Sequence, residues 1–425
     1  MKRSKYVTCL TAAAFALGTL AGCGSSNENN RRNLTTAASA DSTEENKPFD
    51  IFSYDTQKKT REIENLIDSK FYFDIDDKIK EEYYYKGILA GLDDPYSTYY
   101  TKEEMDAINE EDSGEYIGIG ATVSKSKETG AIYVVKPLRG SPAAEAGLQQ
   151  DDIFIEIDGV ELTTGTELEE AVKMIRGTEN STAKLKMYRE GEDDYLYFDV
   201  PRRVVQNISV EYEMLENGFG YISVDQFVDN TYAQFKEGVD YLTSNGAKAL
   251  IIDMRNNPGG FTNQATRMLD YLIEDKSVVN GTDGSFPGRL LYMKDKYGAT
   301  LWENYCEDGH SVELPMAVLI NGNTASSSEI FSGGMQDFKK AVLVGTKSYG
   351  KGVVQITYPL EDGSGVKLTV ASYFLPSGRN IHGDGLQPDV EVEMETTLRR
   401  RTDLPHNEDV QLIKAIEELG GDPLP

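Results

Sequence analysis

The chain has 425 residues, with 43 Lys and Arg against 71 Asp and Glu, a formal net charge of −28. So acidic a chain is a poor partner for nucleic acid and for anionic headgroups, since both are bound through basic surface. Three histidines (His310, His382, His406) are too few to presume a Ser-His-Asp site, and with no cysteine, histidine or carboxylate cluster at metal-ligand spacing neither a metal nor another cofactor is expected.

Lys2, Arg3 and Lys5 precede an apolar run from Val7 to about Leu20, which ends in Leu20-Ala21-Gly22-Cys23. A charged start, a short apolar stretch and small residues at its end make residues 1–22 a predicted secretory signal. The run falls short of the roughly 18 apolar residues of a membrane span. Leu-Ala-Gly-Cys resembles the bacterial lipobox, which implies that Cys23 is lipidated and holds the chain at the extracytoplasmic face of the cell membrane. Cys9 would leave with the signal, Cys23 would carry lipid, and Cys306 would have no partner for an intramolecular disulfide. Residues 23–55 are rich in Ser, Asn, Thr, Ala and Glu, too poor in buriable surface to fold, and read as a tether.

Residues 56–112 form a helical region with patterns at Arg61–Phe73 and Ile79–Leu92, the second stopped by Asp93-Asp94-Pro95. From 113 to 204 the period changes to short strands, at Tyr116–Val123, Ala131–Val135, Ile153–Ile157, Ala183–Arg189 and Tyr195–Val200, with one helix at Thr166–Arg176. Residues 205–403 alternate apolar strands (Gly220–Val224, Ala249–Met254, Met316–Ile320, Ala341–Gly345, Val366–Ala371) with helices (Thr231–Asn245, Thr262–Glu274, Ser328–Lys340), the pattern of an α/β core. A short amphipathic helix, Glu408–Leu419, closes the chain within 404–425. The whole is a multidomain α+β protein: an N-terminal helical segment, a β-sandwich-like module and an α/β core.

Tyr116-Ile117-Gly118-Ile119-Gly120 is followed by Gly140-Ser141-Pro142-Ala143-Ala144-Glu145-Ala146-Gly147-Leu148, Asp151-Asp152-Ile153 and Ile157-Asp158-Gly159. Together they resemble the PDZ domain of bacterial proteases. The resemblance implies that the N–H groups of Tyr116, Ile117, Gly118, Ile119 and Gly120 receive the C-terminal carboxylate of a peptide, which adds a strand to the neighbouring sheet edge. Arg176 matches an arginine that couples PDZ occupancy to the active site in such proteins. Its other reading is a cation at a helix C-terminus before a glycine.

In the core, an apolar strand runs into Arg255-Asn256-Asn257-Pro258-Gly259-Gly260, where glycines would let the backbone approach a substrate and aim N–H groups at an oxyanion. Ser326 falls between a strand and a helix start, where unpaired N–H groups favour negative charge. Lys351 follows 25 residues later in Tyr349-Gly350-Lys351-Gly352-Val353-Val354-Gln355. A free lysine near ~10.4 is protonated at neutral pH, so a lysine base needs an apolar, buried setting. Gly350 and Gly352 would permit close packing, and Val353 and Val354 would supply it.

These words, with Gly87, Gly91-Leu92, Asp94-Pro95-Tyr96-Ser97, Tyr221-Ile222-Ser223, Pro376-Ser377-Gly378-Arg379 and Pro388-Asp389, resemble the C-terminal processing peptidases, or tail-specific proteases, over nearly everything after the tether. The resemblance implies a catalytic core like that of crotonase and the Clp protease, with Ser326 as nucleophile, Lys351 as general base and Gln355 orienting the lysine. It assigns the oxyanion to the N–H groups of Gly259 or Gly260 and of Ser327. Lys347 and His382 fall outside the motif roles, the first as a solvated lysine and the second as a structural loop residue. The departure is Ser327, where relatives commonly carry alanine. The expectation is a lipid-anchored, self-associating serine endopeptidase that binds C-terminal tails of exported or membrane proteins. A catalytically silent PDZ scaffold and a crotonase-like acyl-transfer enzyme are the rivals.

Overall fold

The computed structural model describes residues 50–138, 140–282, 284–394 and 404–424. The predicted signal, Cys23 and nearly all of the tether lie outside these residues. The chain divides into two compact units at Asp74/Ile75. Among the described residues before the division stands one helix, α1 (Tyr54–Lys70), capped by Ser53 and burying no side chain. Among the described residues no helix is long and apolar enough to cross a membrane.

The second unit opens with α2 (Asp77–Ala90), β1 (Thr98–Tyr100) and α3 (Lys102–Ser113). Neither β1 nor α3 is among the elements expected from the sequence, although Thr101 and Glu104 form a reciprocal cap at the start of α3. Next come β2 (Glu115–Gly118), β3 (Ala121–Lys125), β4 (Ile132–Pro137), α4 (Pro142–Ala146), β5 (Ile153–Ile157), β6 (Val160–Glu161), α5 (Leu168–Ile175), β7 (Thr182–Tyr188), β8 (Leu196–Pro201) and β9 (Arg203–Gln206). The order β3-β4-β5-β7-β8 makes one sheet, with β6 on β5 and β3 at a free edge, while β2 pairs with β9 apart. Tyr116–Val123, read as one strand, is two. Gly120 at φ 74° turns the chain between them, and a Cβ there would lie 2.4 Å from that of Ser141. Ile132, Val134, Phe154, Ile157, Ala171, Leu185 and Met187 fill this module's own core.

The core follows as β10 (Val210–Met214), β11 (Gly220–Val224), α6 (Thr231–Ser244), β12 (Leu250–Asp253), α7 (Thr262–Leu272), β13 (Asn280–Gly281), β14 (Gly284–Ser285), β15 (Arg289–Lys294), β16 (Thr300–Tyr305), β17 (Met316–Ile320), α8 (Ser327–Asp337), β18 (Val342–Gly345), β19 (Val353–Pro359), β20 (Gly365–Phe374), β21 (Val390–Glu391) and α9 (Val410–Glu418). Six strands in the order β10-β11-β12-β17-β18-β21 form the main sheet, parallel but for the first pair. Alternation sends Ile222, Leu250, Ile252, Val318 and Ile320 towards α6, α7 and α8, and Ile251, Ala317, Leu319 and Val344 towards Leu412, Ala415 and Ile416 of α9. Both faces are covered, which is why these strands read as unbroken apolar runs.

A second, antiparallel sheet, β1-β20-β15-β16 with β19 on β20, was not anticipated beyond β20. It carries the strand that follows Lys351.

Candidate active site

β12 and β17 are neighbouring parallel strands, so their following turns emerge side by side. Hydrogen bonds lace them together: Thr324 Oγ1 donates to Met254 O at 2.8 Å, Ala325 N–H to Asn257 O at 3.0 Å, and Ser328 Oγ to the same carbonyl at 3.0 Å. Asn256, Asn321 and Asn323 tie the outer ends of the turns through their side chains. At the end of the second turn stands Ser326, with φ 56° and ψ −118°. A non-glycine residue at positive φ is costly and persists only where its surroundings impose it.

Gly259 is part of that imposition. A Cβ on it would lie 2.8 Å from Ser326 Cβ and 3.0 Å from Ser327 N. Gly260, at φ 135°, leaves no room either, since its Cβ would fall 2.1 Å from Phe227 O. The two glycines differ in what they can offer. Gly259 N–H donates to Asn257 Oδ1 at 2.9 Å, whereas among the described residues Gly260 N–H and Ser327 N–H donate to no group. Ser327 N–H is one of the orphan donors of the first turn of α8. The unexpected Ser327 hydroxyl is accounted for: it donates to Gly260 O at 2.7 Å and joins the helix start to the glycine turn.

Lys351 lies in the loop between β18 and β19. Gly350 and Gly352 flank it as expected, for a Cβ on the first would meet Gly385 N at 2.9 Å and on the second His382 N at 2.5 Å. The ammonium is half-buried, and burial pushes its pKa below the ordinary lysine value, aided by the charge of Lys367 and opposed by Asp94 and Glu329. Ser326, Lys351 and Gln355 line one cleft of about 550 Å³, together with Gly260, Asp112, Asp229 and Lys367. Among the described residues no hydrogen bond joins Ser326 Oγ to Lys351 Nζ. Gln355 Nε2 donates to Thr369 Oγ1 at 3.1 Å, and among the described residues it has no hydrogen bond to the lysine. Lys347 and His382 are exposed and absent from the cleft wall.

One functional candidate escaped the sequence reading. Glu329 is fully buried, and its carboxylate accepts Ser326 N–H at 2.9 Å, Lys351 N–H at 2.9 Å, Gly350 N–H at 2.7 Å and the Ser348 hydroxyl. Burial pushes its pKa up while these donors hold it down. The signal was present as a glutamate three residues after a helix-starting serine, which reads as a capping box.

In the strand-rich module, Ile119 and Gly120 N–H have no acceptor among the described residues, and β3 beside them is an open edge. Tyr116, Ile117 and Gly118 instead pair with β9. Arg176 ends α5, stacks over the Tyr116 ring at 5.1 Å and donates to Glu110 Oε2 at 2.9 Å. Glu110 belongs to α3, whose Asn109, Asp112 and Ser113 line the cleft. The structure also gathers Asp270, Asp275 and Asp308, a carboxylate trio that sequence spacing did not reveal. Backbone N–H groups of Glu307, Asp308 and Gly309 already bond to Asp270 and Asp275.

A PDZ module joined to a layered core with a serine at a strained strand-to-helix turn defines a class of peptidase. The chain matches Peptidase family S41 over residues 218–392 and the PDZ domain over residues 116–200. It is 34% identical over 307 residues to a CtpA-like serine protease of Staphylococcus haemolyticus, covering 72% of this chain and 58% of that one. A CtpA-like serine protease of Staphylococcus saprophyticus is 30% identical over 358 residues, covering 84% and 70%. A crystal structure from Bacteroides fragilis NCTC 9343, assigned to the S41 proteases, shares the fold with a TM-score of 0.50 at 17% identity, over 79% of this chain and 90% of that one. The chain therefore belongs to the S41 peptidases, among the CtpA-like serine proteases. It spans less than two thirds of the S. haemolyticus relative.

Proposed function

We propose that this protein is a serine endopeptidase that takes the C-terminal tails of exported or membrane proteins on its PDZ module and cleaves them through an acyl-enzyme. The observation that carries the reading is the joint placement of Ser326 and Lys351: a serine at positive φ beside two unpaired N–H groups, in one cleft with an amine whose pKa burial has lowered.

In this mechanism neutral Lys351 takes the Ser326 Oγ proton as Oγ bonds to the scissile carbonyl carbon. The oxyanion forms against Gly260 and Ser327 N–H, Gly259 N–H being engaged by Asn257. Collapse breaks the C–N bond, and the lysine ammonium returns the proton to the leaving amine. Water, deprotonated by the same amine, then releases the acyl group and restores the serine. Ser326 and Lys351 must close to hydrogen-bond distance in the working complex. Gln355 acts from the shared cleft wall, through Thr369.

The tail would add to the β3 edge with its carboxylate at Ile119 and Gly120 N–H. Arg176, bonded to α3, is the route by which an occupied module would reach the cleft. We place the protein outside the cytoplasm, held by lipid on Cys23, and expect self-association through its exposed helices, for Ile63, Leu66, Tyr83 and Ile88 are each about half exposed or more. The deciding experiment incubates the soluble mature form, Ser326→Ala and Lys351→Ala with an unfolded protein ending in an apolar tail. Cleavage by wild type alone is expected, and an inert wild type would favour the silent scaffold.

A further inference from the structure

Asp94-Pro95-Tyr96-Ser97, between α2 and β1, has no part in the chemistry above. The structure docks it onto the strands of the cleft. Tyr96 N–H donates to Asp94 Oδ1 at 3.2 Å, and Ser97 Oγ donates to Asp94 Oδ2 at 2.6 Å. Ser97 Oγ accepts Thr369 N–H at 3.0 Å, and Thr369 Oγ1 accepts Gln355 Nε2 at 3.1 Å. So fixed, the loop brings the Tyr96 ring against the candidate base: Lys351 Nζ lies 4.8 Å from the ring centroid, within cation–π range. Among the described residues Lys351 Nζ has neither a hydrogen bond nor an ion pair, so the ring face is what it rests on.

We propose that Tyr96 is a positioning residue for the base: its ring is the face against which the Lys351 amine is held, behind the cleft that Lys351 lines with Ser326. The proposal rests on the reading of the chain as a Ser-Lys peptidase. The ring acts in two ways of opposite sign. Its face attracts an ammonium, and its bulk removes water from one side of that ammonium. A ring face returns only part of the hydration it displaces, so the balance favours the neutral amine that a base requires. The other groups facing Lys351 are Lys367 on β20, which acts in the same direction, and Asp94 and Glu329, which oppose it. His382 packs beyond Tyr96 at 6.4 Å between ring centroids. The Tyr96 phenol, pushed up to about 12 by burial, stays neutral throughout the working range and contributes a ring rather than a charge.

The test reads the lysine directly, so that it does not depend on turnover. Wild type, Tyr96→Ala and Tyr96→Phe are labelled with acetic anhydride across pH, and the modification of Lys351 is followed by mass spectrometry, alongside kcat on a tailed substrate. We expect the labelling midpoint to rise by at least about half a pH unit in Tyr96→Ala, with kcat falling roughly 10-fold, and the midpoint to be restored in Tyr96→Phe. A midpoint that stays put in Tyr96→Ala, or that moves as far in Tyr96→Phe, overturns the proposal. Tyr96→Val replaces Tyr96→Ala should the latter fail to fold, with the same direction required. An inactive wild type would overturn the proteolytic reading while the labelling still decides the role of Tyr96.

Discussion

The backbone amides of Ser326 and Lys351 are joined through one carboxylate, for each donates at 2.9 Å to Glu329 Oε2. A helix start and a loop from the far side of β18 are thereby held in fixed relation before any substrate arrives. Glutamine cannot replace this carboxylate, because its Nε2 would face N–H donors and leave one buried group without a partner. Glu329→Gln should therefore lower kcat by roughly 10- to 100-fold with KM within about twofold, and lower stability by about 1–3 kcal/mol. Steady-state kinetics and chemical denaturation check the two halves separately. An unchanged kcat in a destabilised protein would reduce Glu329 to a folding role.

The hydroxyl of Ser327 is a structural bond rather than a chemical group. It reaches Gly260 O at 2.7 Å, while the N–H assigned to the oxyanion belongs to the backbone. Ser327→Ala should cost about 0.5–1.5 kcal/mol in a urea titration, and slow turnover by no more than about threefold. A loss of two orders of magnitude would mean that the hydroxyl takes part in the chemistry.

Much of this arrangement was open to reading in the sequence, for reasons that differ by element. Leu250–Asp253 and Met316–Ile320 announce themselves because both faces of a parallel sheet are buried and every position but the terminal Asp253 is apolar. Ser326 was legible from its place between such a strand and a helix. Glu329 was legible only as a helix cap on Ser326, since the other three of its four donors come from Ser348, Gly350 and Lys351, 19 to 22 residues further on, and no local pattern records them. Tyr96 is further removed still, and its contact with Lys351 exists only once β1 has joined β20. The second sheet was missed because Thr300–Tyr305 is exposed at four of six positions and lacks an apolar stripe. Gln355 was expected to orient the lysine; it lines the same cleft, but a spacing of four residues could not show that its side chain turns to Thr369.

Lys367 lines the same cleft as Lys351, and its charge disfavours a second ammonium nearby. Activity should rise with pH as Lys351 loses its proton. Lys367→Met removes the like charge but retains the length of the side chain, so the Lys351 pKa should rise and the acid limb of kcat/KM should move to higher pH, by about half a unit. The limb would stay in place if Asp112, which also faces Lys367, already neutralised it.

The lowered pKa of Lys351 has a second consequence, for stability. Its folded value lies below its unfolded one, so between the two the unfolded chain binds the additional proton and stability increases as pH rises through that window. Below the folded value the amine is charged in both states, and the native protein bears the full penalty of a half-buried ammonium. Lys351→Met keeps the stem against Tyr96 and removes the charge. It should abolish turnover yet raise Tm at neutral pH, and the advantage should shrink as pH approaches the ordinary lysine value near about 10.4. Melting curves of both proteins at several pH values read the effect directly. A Lys351→Met protein less stable than wild type at every pH would show that the amine is satisfied in the folded state, and the argument from burial would fail with it.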